Sequence, residues 1–222
     1  MLTQKLAAEF VGTALLLISI VGSGIMAQSL FGDDIGSALL ANAIATGCML
    51  FAIISIFGPI SGAHFNPAVS LAFFLRQQLS AKLFVAYVLC QIAGGVIGVW
   101  ITHMMFDLSV IQTSTTLHRT GSAQWLAEVV ATSGLLLVIF GGLRSKPDAI
   151  PTLVAIYITG AYWFTASTSF ANPAVTIARG FTDTFAGIYP GHIFGFIMAQ
   201  FIAVIIASAG FRFLLAEEPP RK

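Results

Sequence analysis

The sequence predicts an all-α membrane protein with six transmembrane helices and two short re-entrant helices, arranged as an inverted repeat. Three observations lead to this prediction. The 222 residues are 57% hydrophobic and 9% charged, whereas about 25% of residues are charged in a typical soluble domain. Long runs lack Asp, Glu, Lys and Arg, as between Asp34 and Arg76. The triplet Asn-Pro-Ala begins at Asn66 in one half and at Asn172 in the other.

The apolar runs are long enough to cross a bilayer, which takes roughly 20 residues of helix. Glu9 lies inside the first run, and no small-residue cleavage site with a polar chain follows. We therefore expect this run to stay in the protein rather than to be removed as a signal. The six predicted spanning helices are Lys5–Ala27, Gly36–Phe57, Lys82–Phe106, Gln124–Leu143, Ile150–Ser167 and Pro190–Leu214.

The two Asn-Pro-Ala boxes lie outside these helices, after the second and the fifth. In each box Asn is predicted to cap a helix whose first residue is Pro. The apolar segments that begin there, Asn66–Leu75 and Asn172–Phe181, are too short to span and are predicted to be re-entrant. The box residues are Asn66, Pro67, Ala68, Asn172, Pro173 and Ala174.

The two halves of the chain repeat one another. Glu9 in the first helix is matched by Glu128 in the fourth, the first box by the second, and Gln91 by Gln200. Each half has three crossings, an odd number, so the second half enters from the opposite side of the membrane. The predicted organisation is one domain, 1–222, with inverted repeats at about 1–106 and 124–215 joined by an outer loop, 107–123.

The basic residues predict the orientation, because Lys and Arg are enriched in cytoplasmic loops. With the N-terminus inside, only Arg119 and Arg179 face outward, and both termini are predicted to be cytoplasmic. The residues placed on the cytoplasmic side are Lys5, Arg76, Lys82, Arg144, Lys146, Arg212, Arg221 and Lys222.

Two half-helices that meet by their N-termini bring together two positive dipole ends of roughly +0.5 charge each. Such a site repels cations, and the Asn amides beside it can donate hydrogen bonds to a neutral hydroxyl-bearing solute. The segments 58–65 and 168–171 are predicted to be non-helical, which is tolerated at membrane depth only where carbonyls line water. We therefore expect a pore whose wall includes the carbonyls of Gly62, Ala63 and His64.

These features together resemble the aquaporin and aquaglyceroporin family over essentially the whole chain. The residues that carry the resemblance are the two boxes, the run Ser-Gly-Ala-His-Phe-Asn-Pro-Ala-Val from Ser61, and the Ala-Glu pair beginning each repeat. The resemblance implies a homotetramer in the lipid bilayer with one pore per subunit. It also implies that Glu9 and Glu128 accept hydrogen bonds from the re-entrant loops, and we prefer this role to a proton relay.

In this family four positions set the outer constriction, and counting from the boxes assigns them to Thr46, Gly160, Ser169 and Val175. In water-selective members the residues at these positions resemble Phe, His, a small residue and Arg. In glycerol facilitators they resemble Trp, Gly, Phe and Arg. Gly160 fits the glycerol pattern, whereas Val175 stands where Arg is expected. Because all four side chains are small and uncharged, we predict a wide opening that discriminates weakly among solutes.

The run from Arg179 to Ile188, with the missing Arg, resembles bacterial channels associated with arsenic-resistance genes. This implies neutral metalloids such as arsenite, or methylated arsenicals, as solutes beside glycerol and water. Arg179 lies one helical turn beyond Val175, and two roles are open to it. It can supply a displaced positive charge or, the interpretation we prefer, serve as an interfacial anchor.

Several other residues have two interpretations. For His64, exposure of its carbonyl to the pore is preferred over an imidazole gate. The aromatic run Tyr162, Trp163 and Phe164 is assigned to packing, although one ring could narrow the pore. Cys48 and Cys90 lack metal-ligand spacing and are also assigned to packing. No cofactor and no metal site are predicted.

The favoured function is a passive channel for small uncharged solutes in a bacterial inner membrane. Only Glu9 and Glu128 place an ionisable group at mid-membrane. A water-selective channel is the main alternative, and a gradient-coupled transporter would need a further coupling-ion site. No nucleophile and base pair indicates an enzyme, and a net charge of +1 gives no sign of nucleic-acid binding. A junction-forming role stays open.

Overall fold

A computed structural model describes residues 1–214, without the side chains of Arg212 and Leu214. The predicted cytoplasmic residues Arg221 and Lys222 and the predicted repeat end at 215 lie outside the described residues. Described helices are α1 (Leu2–Phe31), α2 (Ile35–Ser61), α3 (Pro67–Leu75), α4 (Ala81–Met105), α5 (Ser122–Ser145), α6 (Ile150–Phe164), α7 (Pro173–Arg179) and α8 (Pro190–Leu214), with a 3-10 turn at Pro147–Ala149 before α6.

The helix lengths confirm the predicted all-α membrane fold. Helices α1, α2, α4, α5 and α8 are long and apolar enough to cross a membrane. The sixth predicted crossing is the shorter α6, which ends at Phe164 because Thr165 adopts an extended backbone. Helices α3 and α7 have nine and seven residues, so they match the two predicted half-helices.

Helix α2 is longer than predicted. It continues through Pro59 to Ser61, so the prediction that the chain is non-helical from Gly58 is wrong. An interior proline removes one hydrogen bond and its ring crowds the carbonyl four residues earlier, so contacts from other helices must stabilise this last turn. It stops at Gly62, whose left-handed φ of 92° suits glycine and whose amide donates to the carbonyl of Gly58. The irregular wall therefore begins at Gly62.

The helices pack in the same way in both halves, as an inverted repeat requires. Helix α1 contacts α2 and α4, and its counterpart α5 contacts α6 and α8. Each short helix also packs against the other half, α3 against α8 and α7 against α4. These exchanges bring the two boxes together at the centre of the molecule.

A close approach of α1 and α4 depends on two glycines one helical turn apart. A Cβ added at Gly94 would lie 2.2 Å from the carbonyl oxygen of Phe10, and one at Gly98 would lie 2.4 Å from that of Ala14. Small residues at this spacing let membrane helices pack backbone to backbone. The close packing also keeps Gln91 on α4 within reach of Glu9 on α1.

Candidate functional site

Both box asparagines cap the half-helix that follows them. Asn66 Oδ1 accepts a hydrogen bond from the Ala68 amide at 2.8 Å, and Asn172 Oδ1 accepts one from the Ala174 amide at 3.0 Å. Each Asn has an extended backbone and each following Pro is the first helical residue, a position where the missing N–H costs nothing. The local sequence therefore defines the start of both half-helices.

The same two asparagines link the halves to each other. Nδ2 of Asn66 donates to the carbonyl of Ala171 at 2.7 Å, and Nδ2 of Asn172 donates to the carbonyl of Phe65 at 2.8 Å. An amide nitrogen carries two protons, so each asparagine keeps a second N–H for another acceptor. The reciprocal bonds fix the distance between the two half-helices.

Glu9 on α1 stabilises the first re-entrant loop by accepting hydrogen bonds from it. Its carboxylate accepts four hydrogen bonds, from the Ser61 hydroxyl at 2.7 Å, the His64 amide at 3.0 Å, the Phe65 amide at 2.7 Å and the Gln91 side chain at 2.7 Å. Glu9 is fully buried. Phe65 has a left-handed φ of 49°, a strained conformation that persists only where surrounding contacts determine it.

Glu128 repeats this arrangement under the second loop. Its carboxylate accepts from the amides of Phe170 and Ala171 at 2.9 and 2.8 Å and from Gln200 at 2.6 Å. Ala171 has a left-handed φ of 46°, close to the 49° of its counterpart Phe65 in the first half. The matched Glu and Gln pairs noticed in the sequence therefore form one contact in each half.

A cavity of about 520 Å³ runs past both boxes. Among the predicted site residues it is lined by Asn66, Asn172, Gly62, Ala63, His64, Thr46, Ser169 and Val175, with Arg179 beside them. Apolar side chains from α1, α2, α5 and α6 cover much of the remaining wall. Among residues 1–214, no cluster of His, Cys, Asp and Glu is placed to hold a metal ion.

The structure corrects one of the four constriction positions. Gly160 lies on the exposed face of α6, turned away from the cavity. It does not line the cavity, so its assignment to the constriction is wrong. The residues of α6 that line the cavity are Ile150, Pro151, Val154, Ile158 and Tyr162, four of which are spaced by four. A residue two positions from Ile158 or Tyr162 lies on the opposite side of the helix. Tyr162 therefore occupies this side of the mouth, with its hydroxyl 3.2 Å from Oγ1 of Thr46.

Tyr162 was assigned to packing in the sequence, and the helical spacing of the cavity-facing residues is the signal that identifies it. The neighbouring aromatic residues Trp163 and Phe164 are exposed, as expected of side chains that face lipid. Of the four predicted constriction residues, Thr46, Ser169 and Val175 line the cavity, and the α6 residue next to Thr46 is Tyr162 rather than the predicted glycine.

Arg179 lies at the same end of the cavity and is 3% exposed. Its guanidinium carbon is 3.5 Å from the centre of the Phe170 ring, and Nε donates to the carbonyl of Ala186. An interfacial anchor keeps its charged end in water, so the preferred interpretation of Arg179 as an anchor is wrong. No feature of the sequence alone separates the two roles.

His64 contributes to the wall of the cavity. Nδ1 is 3.1 Å from Oγ of Ser70, and the ring packs 4.5 Å from Phe73 and 5.5 Å from Tyr87, between ring centres. A ring held on three sides is a fixed part of the wall.

Comparison with known proteins agrees with this architecture. A model of the major intrinsic protein family matches residues 1–166. The chain is 52% identical over 219 residues to aquaglyceroporin AqpS of Rhizobium meliloti (strain 1021), covering 99% of this chain and 93% of that protein. It is 26% identical to aquaporin Z of Photorhabdus laumondii, over 97% and 99% of the two chains.

A solved structure also shares the fold. The X-ray structure of the aquaglyceroporin from Plasmodium falciparum superposes with a TM-score of 0.75, at 19% identity, over 97% of this chain and 98% of that one. The chain therefore belongs to the major intrinsic protein family, whose members are membrane channels rather than enzymes.

Proposed function

We propose that the protein is a passive channel for glycerol-sized polyols, for neutral metalloids such as arsenite or methylated arsenicals, and for water. The observation that carries the proposal is the pair of asparagines on the cavity wall, each with one amide proton left over. The similarity to a protein named an aquaglyceroporin supports the choice of polyols among neutral solutes.

The asparagines act as donors at the narrow centre of the pore. The spare N–H of Asn66 and that of Asn172 can each donate to a hydroxyl oxygen of a passing solute, replacing hydrogen bonds it had made to water. The half-helix N-termini at this point carry partial positive charge, which disfavours cations. A neutral hydroxylated solute therefore loses little on entering.

The irregular backbone supplies the acceptors. In residues 1–214, no hydrogen bond is made to the carbonyls of Gly62, Ala63 and His64, nor to those of Ser169 and Phe170. Carbonyls at membrane depth need a polar partner. Solute hydroxyl groups and water provide it, so the two walls form a path of acceptors that leads to the asparagine donors.

Glu9 and Glu128 serve as loop supports in this proposal. Their hydrogen-bond partners are loop amides, the serines Ser61 and Ser167, and the two paired glutamines. Neither Glu9 nor Glu128 lines the cavity, so a proton relay through them would have no connection to the solute path.

We also propose a homotetramer in a bacterial inner membrane, with both termini cytoplasmic and Arg119 and Arg179 on the outer side. Basic residues at helix ends support this orientation, with Lys5 at the start of α1, Arg76 at the end of α3, Lys82 at the start of α4, and Arg144 and Lys146 at the end of α5.

A water-selective channel is the second candidate, and Tyr162 is the observation that favours it. The contact between its hydroxyl and Thr46 places polar groups of α2 and α6 side by side at the mouth. A bulky ring there reduces the space available to glycerol compared with the predicted glycine.

Stopped-flow light scattering on proteoliposomes tests the proposal by comparing water, glycerol and arsenite uptake with empty liposomes. We expect water, glycerol and arsenite to enter these proteoliposomes faster than empty liposomes. The uptake rates should not depend on proton or sodium gradients. Water flux without glycerol or arsenite flux would favour the second candidate, and no flux at all would contradict both.

A matched pair of variants ties the flux to the asparagines. Asn66→Ala removes a pore amide and is expected to lower glycerol flux per folded channel. Asn42→Ala removes an equally buried asparagine that bonds to the carbonyl of Ile20 and does not itself line the cavity. Equal flux in the two variants would show that the box amides do not guide the solute.

A further inference from the structure

We propose that Arg179 is the charge-selecting residue of the outer mouth, and that it excludes cations from a pore whose usual arginine position is occupied by Val175. The inference rests on the proposed channel function and concerns the specificity of the same site.

Arg179 is built into the mouth rather than attached to its rim. It is almost completely buried, yet it lines the cavity together with Ser169 and Val175. Its guanidinium lies against the face of Phe170 and is bonded to the carbonyl of Ala186. The flat ring and the carbonyl determine the position of the charge, because a guanidinium stacks on an aromatic face and donates in its own plane.

The helix geometry explains how a residue four positions further on reaches the constriction. Four residues advance a helix by about 6 Å, but side chains on a helix lean back toward its N-terminus. The guanidinium of Arg179 therefore lies closer to the level of Val175 than its own Cα does. The contact with Phe170 agrees with this, because Phe170 directly follows the constriction residue Ser169.

The buried carboxylate of Glu128 interacts electrostatically with Arg179 and Arg119, but it is bonded to the amides of the second re-entrant loop and to Gln200 rather than to either guanidinium. Within residues 1–214, the guanidinium groups of Arg179 and Arg119 contact backbone carbonyls and the Phe170 ring, and neither forms an ion pair. The Arg119 guanidinium carbon is 5.4 Å from the centre of that ring, and its Nε donates to Gly187 at 3.0 Å. Two like charges beside one narrow path repel a cation that enters it.

The arrangement separates charge selection from size selection. An arginine at the constriction both narrows the opening and repels cations. Here the charge comes from a neighbouring turn and is held against the wall by Phe170, while Val175 keeps the constriction position small. A neutral solute can pass, whereas a cation is repelled by the positive charge of Arg179.

The test compares Arg179→Met with Arg179→Lys in proteoliposomes. Sodium and proton leak are followed with entrapped indicator dyes, and glycerol uptake is followed by light scattering on the same preparations. We expect Arg179→Met to raise cation leak by about tenfold or more, while glycerol uptake stays above that of empty liposomes and so shows that the channel is folded. Arg179→Lys keeps the charge and should keep the exclusion.

Arg76→Met is the matched control. Arg76 also stacks on an aromatic ring, with its guanidinium carbon 4.4 Å from the centre of Phe140, but it is exposed and does not line the cavity. Neither cation leak nor glycerol uptake should change in this variant.

Two results would overturn the inference. One is a folded Arg179→Met channel that carries glycerol and still blocks cations, which would assign exclusion to the half-helices alone. The other is a leak as large in Arg179→Lys as in the neutral variant. If Arg179→Met does not fold, Arg179→Gln takes its place against Arg179→Lys. Failure of the wild type to carry glycerol would instead contradict the channel proposal.

Discussion

Replacing Glu9 with glutamine tests whether the first re-entrant loop depends on a buried carboxylate. The carboxylate oxygens accept from Ser61, His64, Phe65 and Gln91. A glutamine amide has one oxygen and one NH2 group. In either orientation its NH2 faces a backbone amide that is also a donor, so at least one buried N–H loses its partner.

The expected loss of stability follows from these contacts. A buried donor left without a partner costs about 1–3 kcal/mol. The remaining hydrogen bonds lose the strength that a charged acceptor gives, which is roughly half of each. The sum is about 3–5 kcal/mol, a large part of the roughly 5–15 kcal/mol that separates folded from unfolded states in typical proteins.

We expect Glu9→Gln to lower both the folded yield in detergent and the midpoint of thermal unfolding, with the solute ratios of the surviving channels unchanged. Glu128→Gln should behave alike, because the second loop is held in the same way. Asp33→Asn, which changes an exposed carboxylate between α1 and α2, is the control and should have no effect. Normal stability with altered solute ratios in Glu9→Gln would refute the supporting role.

Three further predictions concern other parts of the chain. Gly98→Ala should lower thermal stability by about 1–3 kcal/mol through overpacking of α1 against α4. Gly141→Ala, where a Cβ meets open space, should leave stability unchanged, and an equal loss of stability in both variants would count against the close approach of α1 and α4. Tyr162→Ala should raise glycerol uptake more than water uptake, and an equal rise would remove tyrosine from size selection. Donors from Thr115 lower the pKa of Asp183 from 3.8 to about 2, so this loop contact is complete above about pH 4 and is lost as the pH falls toward 2. Hydrogen exchange at the Thr115 amide should lose protection only in that window, and loss of protection near pH 6 would contradict this.

The features that the sequence predicts well depend on local signals. Asn is a favoured N-cap and Pro a favoured first helical residue, and both half-helices begin at the boxes as expected. Repeat symmetry then extends each inference to the second half. The bond between Glu9 and Gln91 is not among the predictions, because it depends on the packing of α1 against α4 rather than on a local signal.

The end of α2 could not be predicted from local signals. Gly58 and Pro59 together favour a break, but the structure continues the helix to Ser61. Tertiary contacts decide this, because Tyr87 on α4 donates to the carbonyl of Ser61 at 2.7 Å and Glu9 bonds to its hydroxyl. A turn at Gly58 would move both groups away from those partners.

The assignment of Gly160 shows why counting back from the second box fails when the length of the connection between two helices varies. The eight residues between α6 and α7 are irregular, so a fixed offset from Asn172 does not determine which turn of α6 faces the cavity. The four-residue spacing of Ile158 and Tyr162 does determine it, because residues one turn apart share a helix face.

Size and charge at the mouth are properties of side-chain ends in space, not of positions along the chain. Tyr162 and Arg179 have long side chains, and each reaches the mouth from a position that counting from the boxes does not select. A small residue at Val175 is compatible with this, because a second guanidinium there would compete for the same space and repel the first. The absence of arginine at position 175 and the buried arginine at position 179 are therefore best understood together, as one rearrangement of the mouth.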